Sequence, residues 1–95
     1  MREKDIESYL RDEVKTLGGK AYKFVSPGNA GVPDRVVCLP GGQVLFVELK
    51  APGKKPTPLQ NAEQSKLKKL GCQVYTLDCK DEVNAFIANC RLLMP

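Results

Sequence analysis

The chain contains no histidine. That excludes Ser-His-Asp and Cys-His nucleophilic sites, imidazole general bases and His-ligated zinc. Any catalysis must rest on carboxylates, Lys, Tyr, Ser or Cys. Tryptophan is also missing, and aromatic residues are only 6% of the chain, too few for a row of base-stacking rings. The four cysteines, Cys38, Cys72, Cys79 and Cys90, form no C-x-x-C pair, which argues against structural zinc. No apolar run approaches the ~18 residues of a membrane span. The N-terminus is charged from its second residue, so no secretory signal is expected. The expectation is a cytoplasmic protein with free thiols, the cysteines serving as small core residues.

What is present fits one domain over residues 1–95, with an ordinary 42% hydrophobic and 27% charged composition. Ile6, Tyr9, Leu10, Val14 and Leu17 make one stripe of a helical period, predicting a helix over residues 4–17 that Gly18-Gly19 stops. Residues 20–25 read as a short strand. Residues 26–33 hold two prolines and two glycines and read as a shaped loop. Residues 34–39 and 43–50 read as a hairpin around Pro40-Gly41-Gly42. Thr57, Pro58 and Gln60 suit the N-cap, N1 and N3 positions of a second helix that runs to about Leu70. Residues 72–77 read as a fourth strand. Asp78 is placed to cap a last helix carrying Val83, Phe86, Ile87 and Cys90. The expected architecture is α/β, in the order α-β-β-β-α-β-α. A mixed four-stranded sheet is flanked by helices, and strands three and four are parallel.

Strand three alternates. Val44, Phe46, Glu48 and Lys50 share one face, and Leu45, Val47 and Leu49 the other. Asp34 lies about as far from the hairpin turn as Glu48 does. Two carboxylates and a lysine should therefore converge at one end of the sheet. Close carboxylates repel, and a hard divalent cation relieves the repulsion. Such an ion activates water and polarises a phosphoryl oxygen, with Lys50 to stabilise developing charge. The bland alternative for Glu48 and Lys50 alone is a solvated ion pair.

Val32-Pro33-Asp34, followed fourteen residues later by Glu48-Leu49-Lys50, matches the PD-(D/E)XK nuclease signature, and the element order is that superfamily's core. More narrowly, SPGNAGVPDR, then FVELKAPGKKP, then Pro58-Leu59-Gln60 resembles the VRR-NUC domain, in the stand-alone form of phages and prophages. The resemblance spans roughly residues 3–90. It implies that Asp34, Glu48 and the Leu49 backbone carbonyl ligate Mg²⁺ or Mn²⁺, and that Lys50 is the catalytic lysine. It places Gln60 close to the site. The family's helix-one glutamate maps best to Glu7, with Glu3 and Glu13 on neighbouring helical angles. The implied activity is metal-dependent endonucleolytic cleavage of DNA, structure-selective for branched DNA or four-way junctions. By analogy with resolvases of this fold the protein acts as a homodimer. No organic cofactor and no membrane partner are expected. The rival is a catalytically silent nucleic-acid-binding module on the same fold.

Residues 50–69 hold six lysines against one glutamate, and no other stretch exceeds one net charge of either sign. Lys54 and Lys55 suit phosphate contacts. Ser26, Asn29 and Arg35 are the further candidates for contact with DNA. Lys66, Lys68 and Lys69 read equally as a solvated helix face.

Overall fold

The computed structural model describes all of residues 1–95. Its elements are α1 (Glu3–Thr16), β1 (Lys20–Lys23), β2 (Arg35–Cys38), β3 (Val44–Leu49), α2 (Pro58–Lys69), β4 (Gln73–Leu77) and α3 (Lys80–Leu93). The order is the expected α-β-β-β-α-β-α. The sheet runs β1-β2-β3-β4, with β1, β2 and β3 antiparallel and β4 parallel to β3.

The helical stripe of α1 is its buried face: Ile6, Leu10 and Val14 are fully enclosed. They meet Leu45, Val47 and Leu49 of β3, and Val83, Phe86, Ile87 and Cys90 of α3, in one core. The period-two alternation of β3 thus sends its aliphatic side chains under α1 and α3. Glu48 is left on the face that α2 covers. α2 starts as its sequence dictates. Thr57 caps it and accepts from the Gln60 amide at 3.2 Å, while the Gln60 side chain accepts from the Thr57 amide at 2.9 Å. Gln64 is its one buried residue, so α2 is a polar cover.

Three expectations need correction. Asp78 does not cap α3. Cys79 is the N-cap residue and makes no side-chain cap bond. The Asp78 carboxylate instead accepts from the Gly53 amide at 3.1 Å, and Glu82 accepts from the Asp78 amide at 2.7 Å. Asp78 therefore ties the 51–57 loop to the end of β4. The cysteines are not all core. Cys90 alone is buried, and burial pushes its thiol up to about 11. The first strand ends at Lys23, although the Phe24 amide still pairs with the Asp34 carbonyl at 2.8 Å. The Phe24 ring then leaves the edge to pack against Phe46, 5.6 Å between centroids.

The 26–33 loop is pinned against α2 at Gly31, whose φ is +88°. A Cβ there would lie 2.7 Å from the Leu59 carbonyl oxygen and 3.1 Å from the Gln60 nitrogen. Only glycine permits that approach. Gly28 has a similar φ of +83° but no neighbour within 4 Å. Gly28→Ala is expected to cost about 1 kcal/mol from backbone strain alone. Gly31→Ala adds a clash with backbone and is expected to cost on the order of 2–3 kcal/mol. Urea denaturation of both variants measures the difference.

Candidate active site

The hairpin register sets Arg35 against Val47, which places Asp34 opposite Glu48. Pro33, fully buried, fixes the backbone just before Asp34. One Asp34 oxygen accepts from the Leu49 amide at 2.8 Å. That bond joins the start of β2 to the end of β3 at the site itself. The parallel strand closes the other side, where the Lys50 amide donates to the Leu77 carbonyl at 3.0 Å.

Glu48 is 1% exposed. Its Oε2 accepts from the Gln60 side-chain amide at 2.9 Å and lies 3.5 Å from Lys50 Nζ. Its Oε1 is buried with no hydrogen-bond partner. A buried carboxylate oxygen without a partner is costly, and a ligand at that position would relieve the cost. Burial first, and then the charge of Asp34, push the Glu48 carboxyl up to about 7; Lys50 pulls against them. A hard cation fits here, since it answers the empty Oε1 and the crowded charge together.

Asp34, Glu48, Lys50, Gln60 and the Leu49 main chain are therefore gathered at one sheet end. Glu7 is not gathered with them. Its Oε2 accepts from Arg35 Nε at 2.7 Å. Arg35 also donates to the Ala21 carbonyl at 3.2 Å, so it is not free on the site face. The physical reason is strand alternation, which sends Asp34 and Arg35 to opposite faces of the sheet. Arg35 pulls Glu7 towards the α1 side. Glu3, at the start of α1, is the helix-one carboxylate whose charge reaches Glu48, as a small further upward push. Ser26 and Asn29 bond each other at 3.0 Å and hold their own turn. Lys54 and Lys55 are exposed on the loop after Lys50.

Sequence reasoning missed Gln64, which is buried and donates to Thr76 at 3.2 Å beside Glu48. Its signal was the i, i+4 spacing from Gln60, which puts both side chains on the sheet-facing side of α2. It also missed Asp78, Cys79 and Glu82, whose ligand atoms lie within 4.8 Å of one another. Both carboxylates there are occupied with loop and turn amides.

The fold and the site together define a nuclease of the PD-(D/E)XK type, and known proteins agree. No family model matches the sequence. A protein of Acyrthosiphon pisum secondary endosymbiont phage 1, named "Putative nuclease p44", is 58% identical over 81 residues, covering 85% of this chain and 87% of that one. A solved VRR_NUC domain superposes with a TM-score of 0.85 at 32% identity, covering 90% of this chain and 94% of that one. The chain belongs to the VRR-NUC nuclease family.

The raised Glu48 pKa has a consequence for stability. The folded chain binds this proton more tightly than the unfolded chain, whose carboxyl titrates near 4.5. Stability of the metal-free protein therefore falls as pH rises from about 4.5 through about 7. Glu48→Gln keeps the shape and removes the titration. It is expected to stabilise the metal-free protein at pH ~8, by on the order of 2 kcal/mol, and to have little effect at pH ~4. Urea denaturation in EDTA at the two pH values checks this.

Proposed function

We propose that the protein is a divalent-metal-dependent DNA endonuclease, selective for DNA structure and working as a homodimer in the cytoplasm of a bacterial host. The observation that carries the metal requirement is the buried, unpartnered Oε1 of Glu48, a residue that lies opposite Asp34 in the hairpin register. Asp34, Glu48 and the Leu49 carbonyl would hold Mg²⁺ or Mn²⁺. Glu3, in place of Glu7, is the α1 carboxylate that bears on the site. When bound, such an ion supplies a Lewis acid for a phosphoryl oxygen and acidifies water in its shell.

The side chains of the chain have distinct tasks in this reading. Gln60 and Lys50 both engage Oε2 of Glu48, which fixes the carboxylate and leaves Oε1 for the ion. Lys50 Nζ orients the attacking water and offsets charge that builds on the phosphate oxygens. Water attacks the phosphorus in line, and the 3′ oxygen leaves as a hydroxyl. Lys54 and Lys55, on the loop held by Asp78, take flanking phosphates. Selectivity for DNA shape is supported by the absence of any helix-turn-helix, finger or arginine array for reading bases. The homodimer reading follows from site number: one site per chain cuts one strand, and a two-fold pair makes symmetric cuts.

Incubation with duplex, flapped and four-way-junction DNA tests this, in Mg²⁺, Mn²⁺ or EDTA. Wild-type protein should cut with either metal and fail in EDTA. Asp34→Ala should not cut, and Lys50→Ala should lose about 10²–10³ in kcat. Light scattering should give twice the chain mass. Equal cutting by wild type and Asp34→Ala overturns the site. Binding without cutting in both metals favours a silent binding module.

A further inference from the structure

Residues 1–19 carry a net charge of −1 in the sequence, with four cations against five carboxylates. The fold separates these charges. Lys4, Ser8, Arg11 and Lys15 recur at helical intervals and line one side of α1, within about 60° of each other around its axis. They flank two adjoining polar clefts of about 470 and 350 Å³ that share Arg11. The larger cleft continues onto β1, the free edge of the sheet, through Lys20. The one apolar residue lining it is Ala21. Lys4 and Lys15 are about 16 Å apart along the helix.

None of Lys4, Arg11, Lys15 or Lys20 makes an ion pair, although Asp5, Glu7 and Asp12 line the same clefts. Glu7 sits four residues before Arg11, the best spacing for a helical salt bridge. It turns instead to Arg35 at 2.7 Å. That pairing neutralises the carboxylate closest to the middle of the row and leaves Arg11 unpaired. Arg11 and Lys15 are themselves a like-charged i, i+4 pair, which costs a helix a few tenths of a kcal/mol. A row of unpaired cations along a polar cleft is matched by a ligand of evenly spaced negative charge.

We propose that the α1–β1 cleft is a second track for a nucleic-acid phosphate backbone, on the sheet face opposite Glu48. The proposal rests on the nuclease reading for the identity of the polyanion, and on its branched-DNA form for the two diverging backbones. The cleft begins at Arg35, the neighbour of Asp34 in the chain but on the other face. Basic loop 51–57 and the α1 stripe thus diverge from one end of the sheet. Two backbones that separate near the scissile bond would each find a row of cations.

The test uses the double variant Arg11→Ser/Lys15→Ser. Both residues are exposed, and neither touches the acidic site. Anisotropy of labelled four-way-junction DNA in EDTA gives affinity over a salt series from about 50 to 200 mM, where phosphate contacts dominate binding. The double variant should bind about tenfold more weakly. Its log–log salt slope should be shallower by ~1.8, the value for two lost phosphate contacts. Its kcat at saturating DNA should match wild type, with the loss appearing in KM. The control Lys69→Ser/Arg91→Ser removes the same charge from exposed positions on α2 and α3 that line neither cleft, and should bind as wild type. An unchanged slope in the first variant, or an equal loss in the control, overturns the track while leaving the nuclease reading intact. A wild-type protein with no affinity for DNA overturns both. A cleft that binds poly-glutamate and not DNA assigns it to an acidic protein and overturns the proposal.

Discussion

Glu48 is the constraint around which the site end of this fold is arranged. A carboxylate is placed at a fully enclosed position, with one oxygen held and the other left empty. Burial in low dielectric disfavours its charged form, and Asp34 makes this worse. Such an arrangement persists only because the rest of the fold fixes it. The β3 alternation commits Leu45, Val47 and Leu49 to a core that cannot slip by one residue without burying Glu48 on the wrong side. The cost of holding Glu48 is met by the large apolar interface of α1, α3 and the sheet.

The helix on the other face is shaped for this carboxylate rather than for core packing. α2 buries only Gln64. Its first turn is fixed three ways: by the Thr57–Gln60 capping box, by Pro58, and by the close approach of Gly31 to the Leu59 and Gln60 backbone. Gln60 then uses its carbonyl oxygen for the cap and its amide nitrogen for Glu48. One side chain couples helix initiation to carboxylate position. Beside it, Asp78 draws the lysine-bearing loop against the end of β4. Cap, glycine contact and loop clasp all act on the same sheet end.

Much of this was legible in the sequence because local chemistry and tertiary structure agree. Strict alternation in 43–50 gave the face of Glu48, and the Pro40-Gly41-Gly42 turn gave its register with Asp34. Thr57-Pro58-Leu59-Gln60 named the start of α2 to the residue. Two of the misreadings share a cause: each depended on a partner distant in the chain. Glu7 was assigned to the site by the family resemblance, with Glu3 and Glu13 left open, and Arg35, 28 residues away, pairs with it. Asp78 looked like a cap, and Gly53 from another loop takes its carboxylate. Cys38 lies between Val37 and Leu39 in sequence, yet it sits, like Cys72 and Cys79, at a partly exposed position. The α1 charge stripe was hidden because a segment's net charge says nothing about which side of a helix each charge occupies.

We propose Asp34 and Glu48 as the divalent-cation site of this nuclease. The most direct test is paramagnetic Mn²⁺ added to isotopically labelled, metal-free protein without DNA, followed by amide NMR. Broadening should begin at Asp34, Glu48, Leu49 and Gln60 at low Mn²⁺ and be lost in the Glu48→Gln variant. Broadening that begins instead at Asp78, Cys79 and Glu82, or that persists unchanged in Glu48→Gln, would place the cation away from Asp34 and Glu48.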